Sequence, residues 1–86
     1  MANHKSAIKR ARQSEEQRVR NRSRKTRMKS VVRKLEGSIN AKTRDAAVEE
    51  LKLAVSVIEK TASKGVIHRN TASRKISRLT RKVNAL

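Results

Sequence analysis

At 86 residues, the sequence has room for one domain with a modest hydrophobic core. Its 24 Lys and Arg against 7 Asp and Glu give a net charge of +17, and it contains no aromatic residue, proline or cysteine. The composition excludes disulfides, thiolate metal sites and a sheet rich in tight turns, whereas the charge predicts a polyanionic partner. No apolar run approaches the roughly 20 residues that span a bilayer, so we expect no membrane partner and no secretory signal.

The positive charge is concentrated at the two ends of the chain. Residues 1–34 carry 13 basic and 2 acidic side chains, residues 35–63 carry 4 and 5, and residues 64–86 carry 7 and none. Clustered Lys and Arg are the usual means of binding a polyanion, because phosphate neutralisation releases condensed counterions. We therefore expect the two ends to contact the partner and the middle to support them.

The first predicted helix has an apolar stripe only in its second half. That stripe consists of Met28, Val31, Val32, Leu35 and Ile39. Its spacing predicts a helix that continues through Gly37 to about Ala41. Extrapolated backward, the same helix face is polar, with Arg24, Asn21, Gln17, Ser14 and Arg10. The sequence therefore predicts a helix of which only the C-terminal part faces a core.

Residues 1–27 form a predicted basic arm. Between Ala2 and Arg27 only Ile8 and Val19 are bulky and apolar, too few to offset the entropy lost on ordering the segment. We therefore predict that the arm is frayed or disordered in the free protein and becomes helical on its partner.

The cations of the arm would point in nearly every direction around a helix, which suits insertion among several nucleic-acid backbones. Arg outnumbers Lys, and guanidinium groups bind phosphate through two parallel hydrogen bonds. Glu15 and Glu16 can pair with Arg18 and Arg20. The arm's candidates for contact with phosphate or ribose are Lys5, Ser6, Lys9, Arg10, Arg12, Arg18, Arg20, Arg22, Arg24, Lys25 and Arg27.

The middle segment predicts a second helix. Its stripe is Ala47, Leu51, Ala54, Val55, Ile58 and Ala62, widened by Val48 and Val57. Thr43 is the expected N-cap, and acidic residues follow early, where the helix dipole favours them. Gly65 is the expected left-handed stop, with Val66 as the apolar residue that often follows.

The last segment predicts a third helix with an apolar and a basic face. The apolar stripe is Ala72, Ile76, Leu79, Val83 and Leu86. The basic face supplies the candidates Arg74, Lys75, Arg78, Arg81 and Lys82. Asn70 is the expected cap, with a start nearer His68 as the alternative, and His68, Arg69 and Asn70 are candidates for phosphate or sugar. The short connection predicts antiparallel packing of the second and third helices.

The residues offer no catalytic or metal-binding constellation. His4 and His68 lack a set of partner ligands, no glycine-rich phosphate loop is present, and no nucleophile has a base and an orienting group. We therefore expect a protein that is not an enzyme and that uses no metal, cofactor or small-molecule substrate. The three helical patterns predict that its fold is all-α.

Two separated motifs are specific enough to identify a family. They are residues 2–10, Ala-Asn-His-Lys-Ser-Ala-Ile-Lys-Arg, and residues 64–70, Lys-Gly-Val-Ile-His-Arg-Asn. The first resembles the start, and the second matches a second hallmark, of the family of the twentieth protein of the bacterial small ribosomal subunit. Ala72, Arg74, Ser77 and Leu79 continue the pattern, and Thr71 and Ile76 stand where several members carry lysine. The motifs add Asn3 and Lys64 to the candidate RNA-binding residues.

The length and the apolar stripes predict a single domain over residues 1–86, with the arm at 1–27 and a helical bundle at 28–86. The resemblance implies a three-helix bundle with a long, projecting basic first helix. It also implies direct binding to 16S ribosomal RNA, early in assembly of the small subunit and near the base of its body, in the cytoplasm.

Two other classes of function are open to so basic a chain. A nucleoid-type DNA-binding protein fits the composition, and Gly65 to Asn70 could mimic the turn of a helix-turn-helix, although no dimerisation surface is evident. A membrane-active amphipathic peptide fits less well, because the arm has no Leu and no aromatic residue for a buried face. The missing aromatics also disfavour a base-stacking module, so we expect recognition of RNA shape rather than sequence.

Overall fold

The computed structural model describes residues 2–86, with side chains from His4 onward, and consists of three α-helices. They are α1 (Ala2–Asn40), α2 (Arg44–Ser63) and α3 (Arg69–Asn84). Residues 2–86 contain no strand. The all-α class and the three predicted helices are confirmed, and α1 continues through Gly37 as its apolar stripe predicts.

The three helices share one small core. Leu35 of α1 and Ile58 of α2 are its largest fully buried side chains. The remaining buried apolar residues are Met28, Ala47, Ala54, Val57, Ala72, Leu79 and Val83. Because three of these nine are alanines, the helices approach closely without any aromatic side chain between them. The helix α2 packs against both other helices, whereas α1 and α3 contact each other little.

The buried face of α2 departs from the predicted stripe in one detail. Val55, which the stripe assigns to the core, is only half-buried, whereas Val57, which was predicted to widen the stripe, is buried. Because α2 has α1 on one side and α3 on the other, its buried surface is wide enough to include Val57.

The turn between α1 and α2 places a lysine in a left-handed conformation. The Lys42 N–H donates to the Ile39 carbonyl and the Thr43 N–H donates to the Ser38 carbonyl, both at 3.0 Å. These two bonds satisfy the last carbonyls of α1 and require a positive φ at Lys42, which is 57°. Thr43 occupies the predicted cap position of α2, but its side chain makes no capping hydrogen bond.

The left-handed turn that follows α2 occurs at Gly65, as predicted. Gly65 has φ of 76°, its N–H donates to the Ala62 carbonyl at 2.9 Å, and the Val66 N–H donates to the Thr61 carbonyl at 3.2 Å. Val66 is half-buried, as expected of the apolar residue after such a stop. The chain is thereby turned back within a few residues.

The start of α3 settles the choice between two caps in favour of His68. Its Nδ1 accepts a hydrogen bond from the Asn70 N–H at 3.0 Å, and Asn70 itself lies inside the first turn. Ala62 at the end of α2 lines the same surface depression as Ala72 and Ile76 near the start of α3. The two helices therefore pack against each other beside the turn that joins them.

The first half of α1 projects from this bundle. Residues 4–20 are all exposed, Asn21 and Arg24 are half-buried, and Met28 is the first buried residue. The described chain measures 63 × 20 × 14 Å, and its radius of gyration is 17.5 Å, against about 12 Å for a compact domain of this length. The predicted long, projecting basic helix is confirmed. None of the helices described over residues 2–86 has the length and apolar content to cross a membrane.

Candidate nucleic-acid interface

The cations of the arm surround α1 on all sides and lie in solvent. Consecutive residues of an α-helix are rotated by about 100°, so cations spread along the arm face every direction. Nine of the ten predicted basic residues of the arm are exposed, namely Lys5, Lys9, Arg10, Arg12, Arg18, Arg20, Arg22, Lys25 and Arg27. The predicted Ser6 is exposed as well. The Asn3 side chain lies outside the described part of the chain.

The two acidic residues of the arm neutralise little of this charge. Arg18 forms the predicted ion pair with Glu15, with 2.9 Å between Nη2 and Oε1. Both side chains are about 60% exposed or more, so the pair contributes little to stability and leaves Arg18 able to bind phosphate. The predicted pair of Glu16 with Arg20 does not form, because the Arg20 guanidinium donates instead to Gln17 Oε1 at 3.3 Å.

Arg24 is the only one of the arm's candidate cations that is half-buried. It lies on the backward extension of the core-facing side of α1, and its Nη1 donates to Asn21 Oδ1 at 3.4 Å. Arg24 lines a cleft together with residues of the C-terminal half of α2, so α2 extends back along α1 to this level. The part of α1 that lies beside the bundle therefore begins before Met28, at Arg24.

The second basic surface is the outer face of α3. Arg74, Arg78, Arg81 and Lys82 are exposed and Lys75 is half-buried, opposite the buried Ala72, Leu79 and Val83. Arg81 and Lys82 also lie in the last turn of α3, where the helix dipole favours positive charge. Ile76 packs against the core, as its place on the apolar stripe predicts.

The predicted candidates before and at the start of α3 lie in solvent. Lys64, His68, Arg69 and Asn70 are all exposed. Because His68 Nδ1 accepts from the Asn70 N–H, the neutral ring carries its proton on Nε2. The Nε2–H of His68, the side chains of Lys64 and Arg69 and the positive end of the α3 dipole are all suited to binding an anion.

A cleft between α1 and the end of α2 is lined by cations from both, and the sequence did not predict it. Arg24 and Arg27 of α1 line it together with Lys60 and Lys64 at the end of α2. Lys60 was not among the predicted candidates. Its spacing of four residues from Lys64 indicates a shared helix face, but only the packing of α2 on α1 brings both lysines to the arm. In the part of the chain that the structure describes, no cluster of His, Asp or Glu could hold a metal ion.

Comparison with known proteins identifies the family of this chain. The family model described as Ribosomal protein S20 matches residues 2–84. Small ribosomal subunit protein bS20 of Syntrophobacter fumaroxidans is 67% identical over the whole of both chains. The proteins of the same name from Desulfotalea psychrophila and Desulfatibacillum aliphaticivorans are 59% and 56% identical over all of this chain and over 97% and 98% of their own. The chain belongs to the ribosomal protein S20 family.

Proposed function

We propose that this protein is a structural constituent of the small ribosomal subunit, which binds directly to 16S ribosomal RNA and stabilises its fold during assembly. Family membership and relatives named as small-subunit proteins support the assignment. The observation that carries the RNA contact is the arm: residues 4–20 are helical and exposed, and their cations face every side of the helix. The protein is not an enzyme, and it acts in the cytoplasm as part of the ribosome.

The arm contacts RNA chiefly through the sugar–phosphate backbone. Its guanidinium groups bind phosphates in pairs of hydrogen bonds, and its hydroxyls add bonds to phosphate or ribose. Because the cations face all directions, the arm suits a channel between several RNA helices better than the surface of one. Recognition is then of the arrangement of backbones, since no aromatic side chain is present to stack on a base.

The bundle supports this contact and adds a second one. The core holds α3 so that its basic face points away from α2, and the candidates at the start of α3 extend that surface. The organisation we propose is one domain, with an arm over residues 1–27 and a bundle over residues 28–86. The half-buried Arg24 marks the junction between the two.

The first test replaces exposed arginines of the arm. The triple variant Arg12→Gln, Arg20→Gln, Arg22→Gln is expected to bind 16S ribosomal RNA more weakly, because three phosphate contacts are lost. The slope of log affinity against log salt should become less steep by about 2–3. The free energy of unfolding should change by less than about 0.5 kcal/mol, because none of the three side chains is buried. Filter binding over a salt series and urea unfolding measure the two quantities.

A matched control separates arm contact from net charge. The variant Lys42→Gln, Arg44→Gln, Lys52→Gln removes the same charge from the middle of the chain, where the residues are also exposed. An equal loss of affinity in both variants would show that only net charge matters and would contradict the proposed contact. Preference of the unaltered protein for duplex DNA over 16S ribosomal RNA would support the nucleoid-type alternative instead.

A further inference from the structure

A cleft of about 260 Å³ lies where the arm leaves the bundle. Arg24 and Arg27 line it from α1, and Leu53, Val57, Lys60 and Lys64 line it from α2. The two helices thus contribute two cations each, and no acidic residue lines the cleft. Four like charges facing one small space repel each other, so the arrangement favours an anion between them.

The side chains of the cleft differ in how they can meet a ligand. Val57 is 6% exposed and forms an apolar wall, whereas Leu53 is 48% exposed and presents apolar surface to solvent. The Thr61 hydroxyl, which also lines the cleft, donates to the Val57 carbonyl at 2.7 Å and is therefore engaged within α2. The cleft accordingly offers cations at its edges and hydrocarbon between them.

This combination matches the chemistry of a sugar–phosphate strand. Phosphates require the cations, and the carbon-rich face of a ribose can lie against Leu53 and Val57. A base-stacking site would need an aromatic side chain, which the sequence lacks. A small-molecule site would need polar groups converging on one point, whereas here the charges lie on both sides of an open groove.

We propose that the cleft holds the backbone of one RNA strand, bound by Arg24 and Arg27 from α1 and by Lys60 and Lys64 from α2. The strand thereby fastens the root of the arm to α2 and sets the direction in which the arm leaves the bundle. This inference rests on the ribosomal RNA binding proposed above and adds Lys60 to the interface. It also assigns the contact to two helices acting on the same strand.

The experiment compares two double variants with equal loss of charge. Lys60→Gln with Lys64→Gln removes the α2 side of the cleft, and Lys42→Gln with Lys52→Gln removes two exposed lysines elsewhere. If the cleft binds the strand, the first variant should raise the Kd for 16S ribosomal RNA about 10-fold and reduce the salt slope by about 1.4–1.8. The control should raise the Kd by less than about 2-fold. Equal losses in the two variants would overturn the proposal.

A second measurement tests whether residues of both helices contact the same RNA strand. Arg27→Gln and Lys60→Gln are made singly and together. If they contact the same strand, the combined loss of affinity should be smaller than the product of the two single losses, because each contact positions the other. A combined loss equal to that product would place the two residues on separate RNA segments and contradict the fastening of the arm.

Two controls keep the outcome specific. Lys60→Arg with Lys64→Arg should bind within about 3-fold of the unaltered protein, because both cations remain. Melting curves followed by circular dichroism should show that the glutamine variants fold. If the unaltered protein fails to bind 16S ribosomal RNA, the proposed function is wrong. If it binds and the cleft variant matches the Lys42 and Lys52 control, only the cleft inference is wrong.

Discussion

The two halves of α1 have the same backbone conformation in opposite surroundings. Over residues 4–20 every side chain is exposed, whereas from Met28 onward the helix contributes Met28 and Leu35 to the core and packs Val31, Val32 and Ile39 against it. The second half is stabilised by burial of apolar surface, and the first half only by local hydrogen bonds and helix propensity. Continuity of a helix is therefore no measure of its stability, which depends on what each turn contacts.

Hydrogen exchange of the free protein is the most direct test of the difference in stability between the two halves of α1. Amides of residues 5–20 are expected to exchange at least ~100-fold faster than those around Leu35 and Ile58, which corresponds to about 2.8 kcal/mol of opening free energy. On binding 16S ribosomal RNA the difference should largely disappear. Equal protection of both halves without RNA would show that the arm is stable on its own and would contradict the predicted fraying.

Two single substitutions to alanine compare the two halves of α1. Leu35→Ala is expected to lower the free energy of unfolding by ~2–5 kcal/mol, because Leu35 is fully buried and a cavity would remain. Val19→Ala should change it by less than about 0.5 kcal/mol, because Val19 is 54% exposed. Urea unfolding followed by circular dichroism measures both. A large effect of Val19→Ala would mean that the arm packs on the bundle.

The two glycines are expected to have smaller effects than Leu35, with opposite signs. Gly65→Ala should destabilise the bundle by about 1–2 kcal/mol, because Gly65 has a positive φ that other residues adopt at a cost. Gly37→Ala should stabilise it by about 0.5–1 kcal/mol, since a methyl group there would meet nothing within 4 Å and alanine favours the helix. Thermal unfolding distinguishes them. A destabilising Gly37→Ala would show that this part of α1 is not a regular packed helix.

Much of the fold could be predicted because the local signals agree with the packing. The stripe from Met28 to Ile39 predicted the packed part of α1, and Gly65 predicted the stop between α2 and α3. The errors arose where the outcome depended on neighbouring groups. Thr43 has the usual side chain of a cap but makes no capping bond, and His68, an unusual cap, makes one.

The exposure of the candidate interface residues was predictable to the same extent. Charge alone identified the cations of the arm and of α3, because residues without apolar partners remain exposed. The cleft was not predictable, since it depends on how far α2 extends along α1. Lys60 lies in the nearly neutral middle of the sequence, and only the packing of the helices places it beside Arg24 and Arg27.

The 63 Å length of the described chain is several times the ~8 Å over which physiological salt screens a charge. With the contacts proposed above, the tip of the arm and the last turn of α3 would attract RNA independently. Once the arm is helical on its RNA, it would hold the other end at a set distance, so the effective concentration of that end would be high for RNA segments at that separation and very low for others. We therefore expect the protein to discriminate between RNA conformations by the spacing of two distant segments, although neither end reads a base.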